Sequence, residues 1–251
     1  MYMTRSFPAP ATPAELAAAY RAAAEREAQR VREGAAIIGY KVGYTNTKMW
    51  EQLGATEPMW GAMYDDTVVF ATGRPFRYSL APFHGPRIEP EIVVHFHKAP
   101  PSDATFDTLL DCIDWMAQGY EIVVSATDGQ PPTATRAIAN GGMHGALLIA
   151  EQRPVEKLGS DPSFQLERVE VELCCDGELK EKGSGTLVLG NPLNSVLHLV
   201  KALMAQGRPP IKAGDIVTTG TLTAAYPIAA GQRWTTTLSG MDLPDLDVVF
   251  E

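Results

Sequence analysis

The segment Arg87-Ile88-Glu89-Pro90-Glu91-Ile92-Val93-Val94 sets two carboxylates inside an otherwise apolar, β-branched run, and it restricts the fold more than any other stretch. Val and Ile favour a pleated sheet. Side chains of a strand leave alternately on opposite faces, so Glu89 and Glu91 share one face, about 6.6 Å apart along the strand. The run Ile92-Val93-Val94 has no polar face, which predicts a strand covered on both sides. Buried carboxylates this close repel unless something positive lies between them. A hard divalent cation meets that need, taking carboxylate oxygens at about 2.0–2.1 Å and keeping waters that a substrate can displace. Pro90 removes a ladder donor and so belongs at a strand start or edge, such as the border of a pocket. The competing reading is a solvated strand face with two charges, which an E-x-E spacing alone favours. The apolar run shifts the balance toward pairing or metal.

Glu121 opens a second apolar run, Ile122-Val123-Val124, and is the candidate third ligand; a plain charge at a strand start is its alternative. Asp114 is placed on the wet face of a helix. His95 and His97 keep the parity of Glu91, but His95 lies four residues on, about 13 Å of strand, too far to share one ion. Both are read as structural or rim histidines. His84, His144 and His198 stand isolated, His198 packing on the last helix. Lys41, inside Gly39-Tyr40-Lys41-Val42-Gly43, either reaches a counter-ion or ligand carboxylate, or points outward. Thr218-Thr219-Gly220-Thr221-Leu222 offers hydroxyls and N–H groups at a strand end, as a carboxylate cradle or as an ordinary turn. No Ser-His-Asp spacing, nucleophile elbow around Ser184, G-x-G-x-x-G or P-loop occurs.

The surrounding periodicity alternates. Thr12-Pro13-Ala14-Glu15 reads as a capping box with proline at the first helical position. Leu16, Tyr20, Ala23, Ala24, Ala28 and Val31 then continue a helix to Gly34. Strands are expected at 37–44, 67–71, 88–96, 120–125, 145–150, 168–174, 215–219, 233–238 and 246–250. A short helix is expected at 48–53, a longer one capped by Ser102 and ended by Gly119, and a last amphipathic one from Asn191-Pro192 through Leu203. Asp176-Gly177 marks a tight hairpin turn. The Pro-, Thr-, Ala- and Gly-rich stretch 130–142 is read as a functional loop within one domain. Helices near the N-terminus and residue 200, with strands elsewhere, predict an α+β fold around a curled or barrel-like sheet.

With 251 residues, 45% of them hydrophobic and 20% charged, the chain can bury a real core. Its formal charge of -9 argues against nucleic-acid and anionic-membrane partners. Cys112, Cys174 and Cys175 show no CxxC spacing, so neither a disulfide framework nor a zinc site is expected, and a reducing cytoplasm fits best. Neither a secretory leader nor an uninterrupted apolar stretch of about 18 residues is read, so the chain is expected to be neither secreted nor membrane-spanning.

From about residue 35 onward these pieces resemble, in order, the 2-keto-4-pentenoate hydratase / 4-oxalocrotonate decarboxylase group of the fumarylacetoacetate hydrolase superfamily. The matching segments are Gly39-Tyr40-Lys41-Val42-Gly43-Tyr44-Thr45, Trp60-Gly61-Ala62-Met63-Tyr64-Asp65-Asp66 as the following turn, Glu89-Pro90-Glu91, and Glu121-Ile122-Val123. Later come Gly190-Asn191-Pro192-Leu193-Asn194-Ser195-Val196, Lys212-Ala213-Gly214-Asp215 and Thr219-Gly220-Thr221-Leu222-Thr223-Ala224-Ala225. The chain departs where the group carries aspartate and arginine after its third glutamate; here Val124, Ser125 and Ala126 follow Val123. The loop Ala139-Asn140-Gly141-Gly142-Met143-His144-Gly145 keeps an asparagine and introduces His144. The resemblance implies a mixed β-roll or barrel of the fumarylacetoacetate hydrolase C-terminal type with peripheral helices. A helical segment 1–34 would pack on a catalytic domain 35–251. Glu89, Glu91 and Glu121 would hold Mg²⁺ or Mn²⁺; Lys41, Asn140 and Thr221 would bind substrate, with Lys41, Glu91 and Thr221 in catalysis. The implied activity is a lyase that hydrates a 2-hydroxy-2,4-dienoate or decarboxylates 4-oxalocrotonate through a metal-stabilised enolate. Rivals are hydrolysis of a carbon–carbon bond in a diketo acid, with His84 or His144 as base, and a non-catalytic ligand-binding or scaffold homologue. Expected partners are a small 2-oxo acid, further copies of the chain in a homo-oligomer, and a sister hydratase or decarboxylase.

Overall fold

The computed structural model describes residues 7–125 and 133–251. The chain runs α1 (Pro13–Arg32), β1 (Ile37–Gly43), α2 (Trp50–Leu53), β2 (Met59–Tyr64), β3 (Val68–Phe70), β4 (Phe76–Tyr78), β5 (Arg87–Phe96), α3 (Phe106–Leu110), β6 (Ile113–Val123) and α4 (Ala134–Ala139). It continues through β7 (His144–Ile149), β8 (Arg153–Pro154), α5 (Pro162–Arg168), β9 (Glu170–Cys175), β10 (Glu178–Ser184), α6 (Pro192–Ala205), β11 (Ile216–Thr221), β12 (Tyr226–Pro227), β13 (Arg233–Ser239) and β14 (Leu246–Phe250). The large sheet has the order β2-β1-β11-β5-β6-β7-β3, with β12 added on β5 and β8 on β6. A second sheet has the order β10-β9-β13-β14-β4. This is the expected α+β architecture, a curled half-barrel sheet with helices around it.

The parity of β5 explains the doubly apolar run. Its even residues Ile92, Val94 and Phe96 meet Leu193, Val196, Leu199 and Leu203 of α6. Ile88, with Tyr120 and Ile122 of β6, meets Leu173, Trp234, Val248 and Phe250 of the second sheet. Each such side chain contributes about 1.5–3 kcal/mol when fully buried. The odd residue Val93 packs on the opposite face with Ala117, Leu147, Ile149 and Met63, and Glu89, Glu91 and Glu121 share its parity. The segment Gly185–Ala205 has the length and mean hydropathy (1.2) of a membrane span, but its apolar residues form this core helix face.

The N-terminal helix starts as its sequence predicts. Thr12 accepts the Glu15 N–H, and the Glu15 carboxylate takes the Thr12 N–H at 2.8 Å. Tyr20 stacks on Trp60 with centroids 5.1 Å apart, and Arg30 pairs with Asp66 at 2.7 Å. Asp176 (φ 51°) and Gly177 (φ 82°) make the expected hairpin turn between β9 and β10.

Three expectations need correction. The helix from Ser102 to Gly119 is absent: Thr105 caps the short α3, and β6 then runs from Ile113 to Val123 as a strand. Phe106, Leu110, Ile113 and Ala117 mimic a helical stripe because β6 is covered on both faces, and pairing with β5 and β7 overrides the local pattern. Asp114 therefore sits on a strand, exposed, 2.6 Å from His95 Nδ1. Residues 59–64 form strand β2, and the turn expected at Trp60–Asp66 is confined to its end. Within 130–142, residues 130–132 lie outside the described residues and Ala134–Ala139 is helical.

Candidate metal centre and active site

Register brings the three glutamates together. Glu89 of β5 lies directly opposite Glu121 of β6, and Glu91 opposite Gly119. One carboxylate oxygen from each of Glu89, Glu91 and Glu121 lies within 4.8 Å of the others. Glycine at 119 is required: a Cβ there would stand 2.5 Å from Val93 Cγ2. On the other side of β5, a register shift between Thr218 and Thr221 turns the β11 backbone inward. Gly220 N–H then donates to Glu91 Oε2 at 2.7 Å, and the Thr218 hydroxyl donates to the same oxygen. The remaining oxygens, Glu91 Oε1 and Glu121 Oε2, are buried without an aligned hydrogen bond. Two orphaned buried oxygens and a third carboxylate converging within 4.8 Å, with the Lys41 cation beside Glu121 to set against three carboxylates, fit a divalent cation.

Lys41 enters from β1, whose register sets it beside Thr218. Its Nζ lies 3.1 Å from Glu121 Oε2 and donates to the Gly142 carbonyl at 2.9 Å. Gly142, at φ 71°, lets that turn close on the lysine; a Cβ there would stand 2.7 Å from Lys41 Cδ. Lys41, Glu91 and Glu121 are at most 1% exposed. Burial pushes the lysine down, but attraction to Glu121, Glu89 and Glu91 outweighs it and the net shift is upward, so it is an ammonium. Burial raises Glu89 to about 7, opposed by Lys41 and reinforced by Glu121. Burial, then Glu121 and Glu89, drives Glu91 well above the carboxylate range. Glu121 feels the same burial, but Lys41 and His144 pull it below its ordinary value.

A cleft of about 460 Å³ opens onto these groups. Lys41, Glu89 and Thr221 line it, and Met49, Leu53, Met59 and Val124 form an apolar wall. Thr221 stands opposite Glu91, its hydroxyl donating to the Thr223 carbonyl at 3.0 Å. Asn140 is not among the lining residues; its amide turns back to the Arg136 carbonyl at 2.9 Å. His95 stacks on Trp115 and His97 meets the Asp111 carbonyl, both away from the carboxylates. Ala126, the last of the departing positions, lies outside the described residues.

For several residues around the site the sequence named the residue or its segment but not the contact it makes. Tyr44 lines the cleft at φ 57°, its carbonyl held by Trp50 Nε1 at 2.6 Å, and burial lifts its hydroxyl to about 12. Thr218 and Gly220 act through a bulge that periodicity does not reveal. His144 meets Glu121 Oε1 at 2.9 Å; a lone histidine in a Gly-rich loop gives no hint of that contact.

The sequence profile described as fumarylacetoacetate (FAA) hydrolase C-terminal matches residues 36–246. The chain belongs to the fumarylacetoacetate hydrolase family. This family member is 26% identical over 216 residues to 2-keto-4-pentenoate hydratase of Paraburkholderia xenovorans (strain LB400), covering 85% of the chain and 76% of the relative. It is 28% identical over 216 residues to 2-hydroxyhexa-2,4-dienoate hydratase of Comamonas testosteroni, covering 84% and 79%. Its fold superposes on 4-oxalocrotonate decarboxylase from Pseudomonas putida G7, complexed with magnesium and adipate. That TM-score is 0.83 at 27% identity, with 94% of this chain and 86% of the other covered.

Proposed function

We propose that this fumarylacetoacetate hydrolase family member is a divalent-metal-dependent lyase of aromatic-catabolite type. It hydrates a 2-hydroxy-2,4-dienoate (2-keto-4-pentenoate) or decarboxylates 4-oxalocrotonate. The observation that carries the reading is the convergence of Glu89, Glu91 and Glu121 within 4.8 Å beside a buried Lys41 at the end of a cleft. Relatives that are themselves hydratases and a decarboxylase support it. The three glutamates are the ligands for Mg²⁺ or Mn²⁺. An ion held there supplies a Lewis acid for the keto oxygen of a 2-oxo acid.

The chain's own groups do the rest. Both reactions develop negative charge on the keto oxygen, and the Lys41 ammonium, preorganised by Glu121 and the Gly142 carbonyl, stabilises it without reorganising. Because Lys41 is held protonated, it offsets negative charge on the substrate rather than serving as a base. Thr221 we assign to the substrate carboxylate, a reading supported by its position in the cleft lining, opposite Glu91. Met49, Leu53 and Met59 keep water from the hydrocarbon end. Hydrolysis of a diketo acid is disfavoured, since both ring nitrogens of His144 are engaged and His84 does not line the cleft.

Residues 1–34, of which 1–6 lie outside the described residues, we assign to an N-terminal segment whose α1 packs on a catalytic body 35–251, supported by the stacking of Tyr20 on Trp60. A cytoplasmic location, a homo-oligomer and association with a sister hydratase or decarboxylase complete the proposal, the last two read by light scattering of the purified proteins. The decisive assay incubates Mg²⁺- or Mn²⁺-loaded protein with 2-hydroxypentadienoate and with 4-oxalocrotonate, following ultraviolet absorbance and CO₂. Consumption of one substrate, abolished by EDTA and inhibited competitively by oxalate only when metal is present, is expected. Turnover that survives chelation overturns the metal reading, and stable binding of keto acids without turnover overturns the lyase reading.

A further inference from the structure

His144 is a buried histidine for which the chemistry above has no use, yet both its nitrogens are committed. Nδ1 lies 2.9 Å from Glu121 Oε1 and Nε2 lies 2.9 Å from Thr67 Oγ1. A carboxylate only accepts, so Nδ1 carries the hydrogen of the first bond. Its partner is the glutamate whose other oxygen, Oε2, is buried without an aligned hydrogen bond and stands 3.1 Å from Lys41 Nζ.

This contact is built by a register irregularity. β6 and β7 pair Glu121 with Leu147 and Ile122 with Ala146, but Val123 then faces His144 instead of Gly145. One residue is skipped, and the bulge swings His144 onto the face that Glu121 and Val123 share. Gly145 makes the bulge sterically feasible, because a Cβ there would meet the Ile122 carbonyl oxygen at 2.8 Å and Val124 Cγ1 at 2.9 Å. Thr67 is fixed in turn. Its hydroxyl accepts the Tyr64 N–H at 3.1 Å and has its single hydrogen in reach of both the Tyr64 carbonyl, 3.1 Å away, and His144 Nε2, and its own carbonyl takes the Leu147 N–H at 2.8 Å.

We propose that His144, braced by Thr67, is a positioning residue for Glu121: it holds Oε1 so that Oε2 is presented to the metal ion. The inference rests on the reading of Glu89, Glu91 and Glu121 as metal ligands. Hydrogen bonds to ligating groups fix their orientation, and removing them weakens metal binding by about 10–100-fold. The Lys41 ion pair restrains Oε2 from the side; His144 fixes the carboxylate's rotation about its own axis.

The test measures Mn²⁺ affinity by calorimetry and by electron paramagnetic resonance on wild type, His144→Ala, His144→Asn, His144→Gln and Thr67→Val, with thermal melts of the metal-free proteins alongside. Asparagine carries its N–H near the place of Nδ1, glutamine near that of Nε2. Expected are a loss of affinity of about 10–100-fold in His144→Ala, recovery in His144→Asn but not His144→Gln, and a smaller loss in Thr67→Val. If the wild type binds no Mn²⁺, the ligand reading itself falls, and the inference with it. If the wild type binds and His144→Ala binds within two-fold of it, only the inference falls. A lowered melting temperature with unchanged Mn²⁺ affinity makes His144 a packing residue and also overturns it. Should the alanine variant not fold, the asparagine and glutamine variants decide: equal affinities overturn the proposal.

Discussion

Lys41 is a cation almost wholly buried beside the cleft, among three carboxylates of which only Glu121 is near enough to pair. Removing one partner of a buried ion pair costs about 3–5 kcal/mol, since the other charge is left alone. Lys41→Met keeps much of the side chain's shape and deletes the charge. It is expected to lower the stability of the metal-free protein by that amount in urea unfolding, and turnover by ten-fold or more, about 1.4 kcal/mol of barrier. Unchanged kinetics make Lys41 structural only. Glu91→Gln keeps the contacts of Thr218 and Gly220 within reach of the amide but removes the charge. Calorimetry should find Mg²⁺ and Mn²⁺ binding strongly weakened; an unaltered titration removes Glu91 from the ligand set.

At the level of elements, the cleft is walled by a strand from the other sheet. Gly183 of β10 presses on the loop after β11, where a Cβ would lie 1.8 Å from the Leu222 carbonyl oxygen, and Ser184 N–H donates to that same oxygen at 3.2 Å. Gly183→Ala forces the strand outward and carries Glu181 and Leu187 of the cleft wall with it. Overpacking of this kind costs about 1–3 kcal/mol, and the displaced wall should raise KM more than it lowers kcat; wild-type stability with unchanged KM refutes the coupling. These same elements explain what the sequence could reveal. The capping box of α1, the Asn-Pro start of α6 and the β-branched run of β5 are local signals, and each structure formed where its residues ask for it. β6 was hidden because burial on both faces erases alternation, leaving apolar spacings that suit a helix equally well. The pairing of Glu89 with Glu121 was legible as chemistry but not as register. The bulges at Gly220 and Gly145 are properties of strand pairs, so nothing local announced the donors to Glu91 or the turn of His144 toward Glu121. Gly119, which resembles a helix stop, is the small residue opposite Glu91.

For the molecule as a whole, protonation of the clustered glutamates and stability form one linked system, to which an ion held by Glu89, Glu91 and Glu121 would couple. Burial raises Glu89 in the metal-free fold to about 7 and holds Glu91 well above the ordinary carboxylate value, while both are ordinary carboxylates when unfolded. Between the unfolded and folded values the native state binds more protons than the unfolded one, so their contribution turns unfavourable as pH rises through this window. Glu121, Glu15 and Asp161 are lowered instead, and what they contribute is lost only below the ordinary carboxylate range. His198, lowered by burial, weakens the fold only as pH falls below its unfolded value, since protonation then favours the unfolded chain. Asp215 is also raised by burial, but above about 6.5, the ordinary histidine value, Glu89, at about 7, is the carboxylate set to titrate near neutrality, with Glu91 raised well above the carboxylate range beside it. A metal ion must displace their protons, so its affinity rises with pH. An ion bound by these glutamates would stabilise the fold by about 2.7 kcal/mol when present at a hundred times its dissociation constant. The increase in Tm produced by a fixed concentration of Mg²⁺ should thus be larger at pH 8 than at pH 6.5, whereas the metal-free protein should melt lower at pH 8. Glu91→Gln should flatten both trends. Differential scanning calorimetry at the two pH values, with Mg²⁺ and with EDTA, measures all three; equal metal increments at both would show that protons and metal do not compete for these carboxylates.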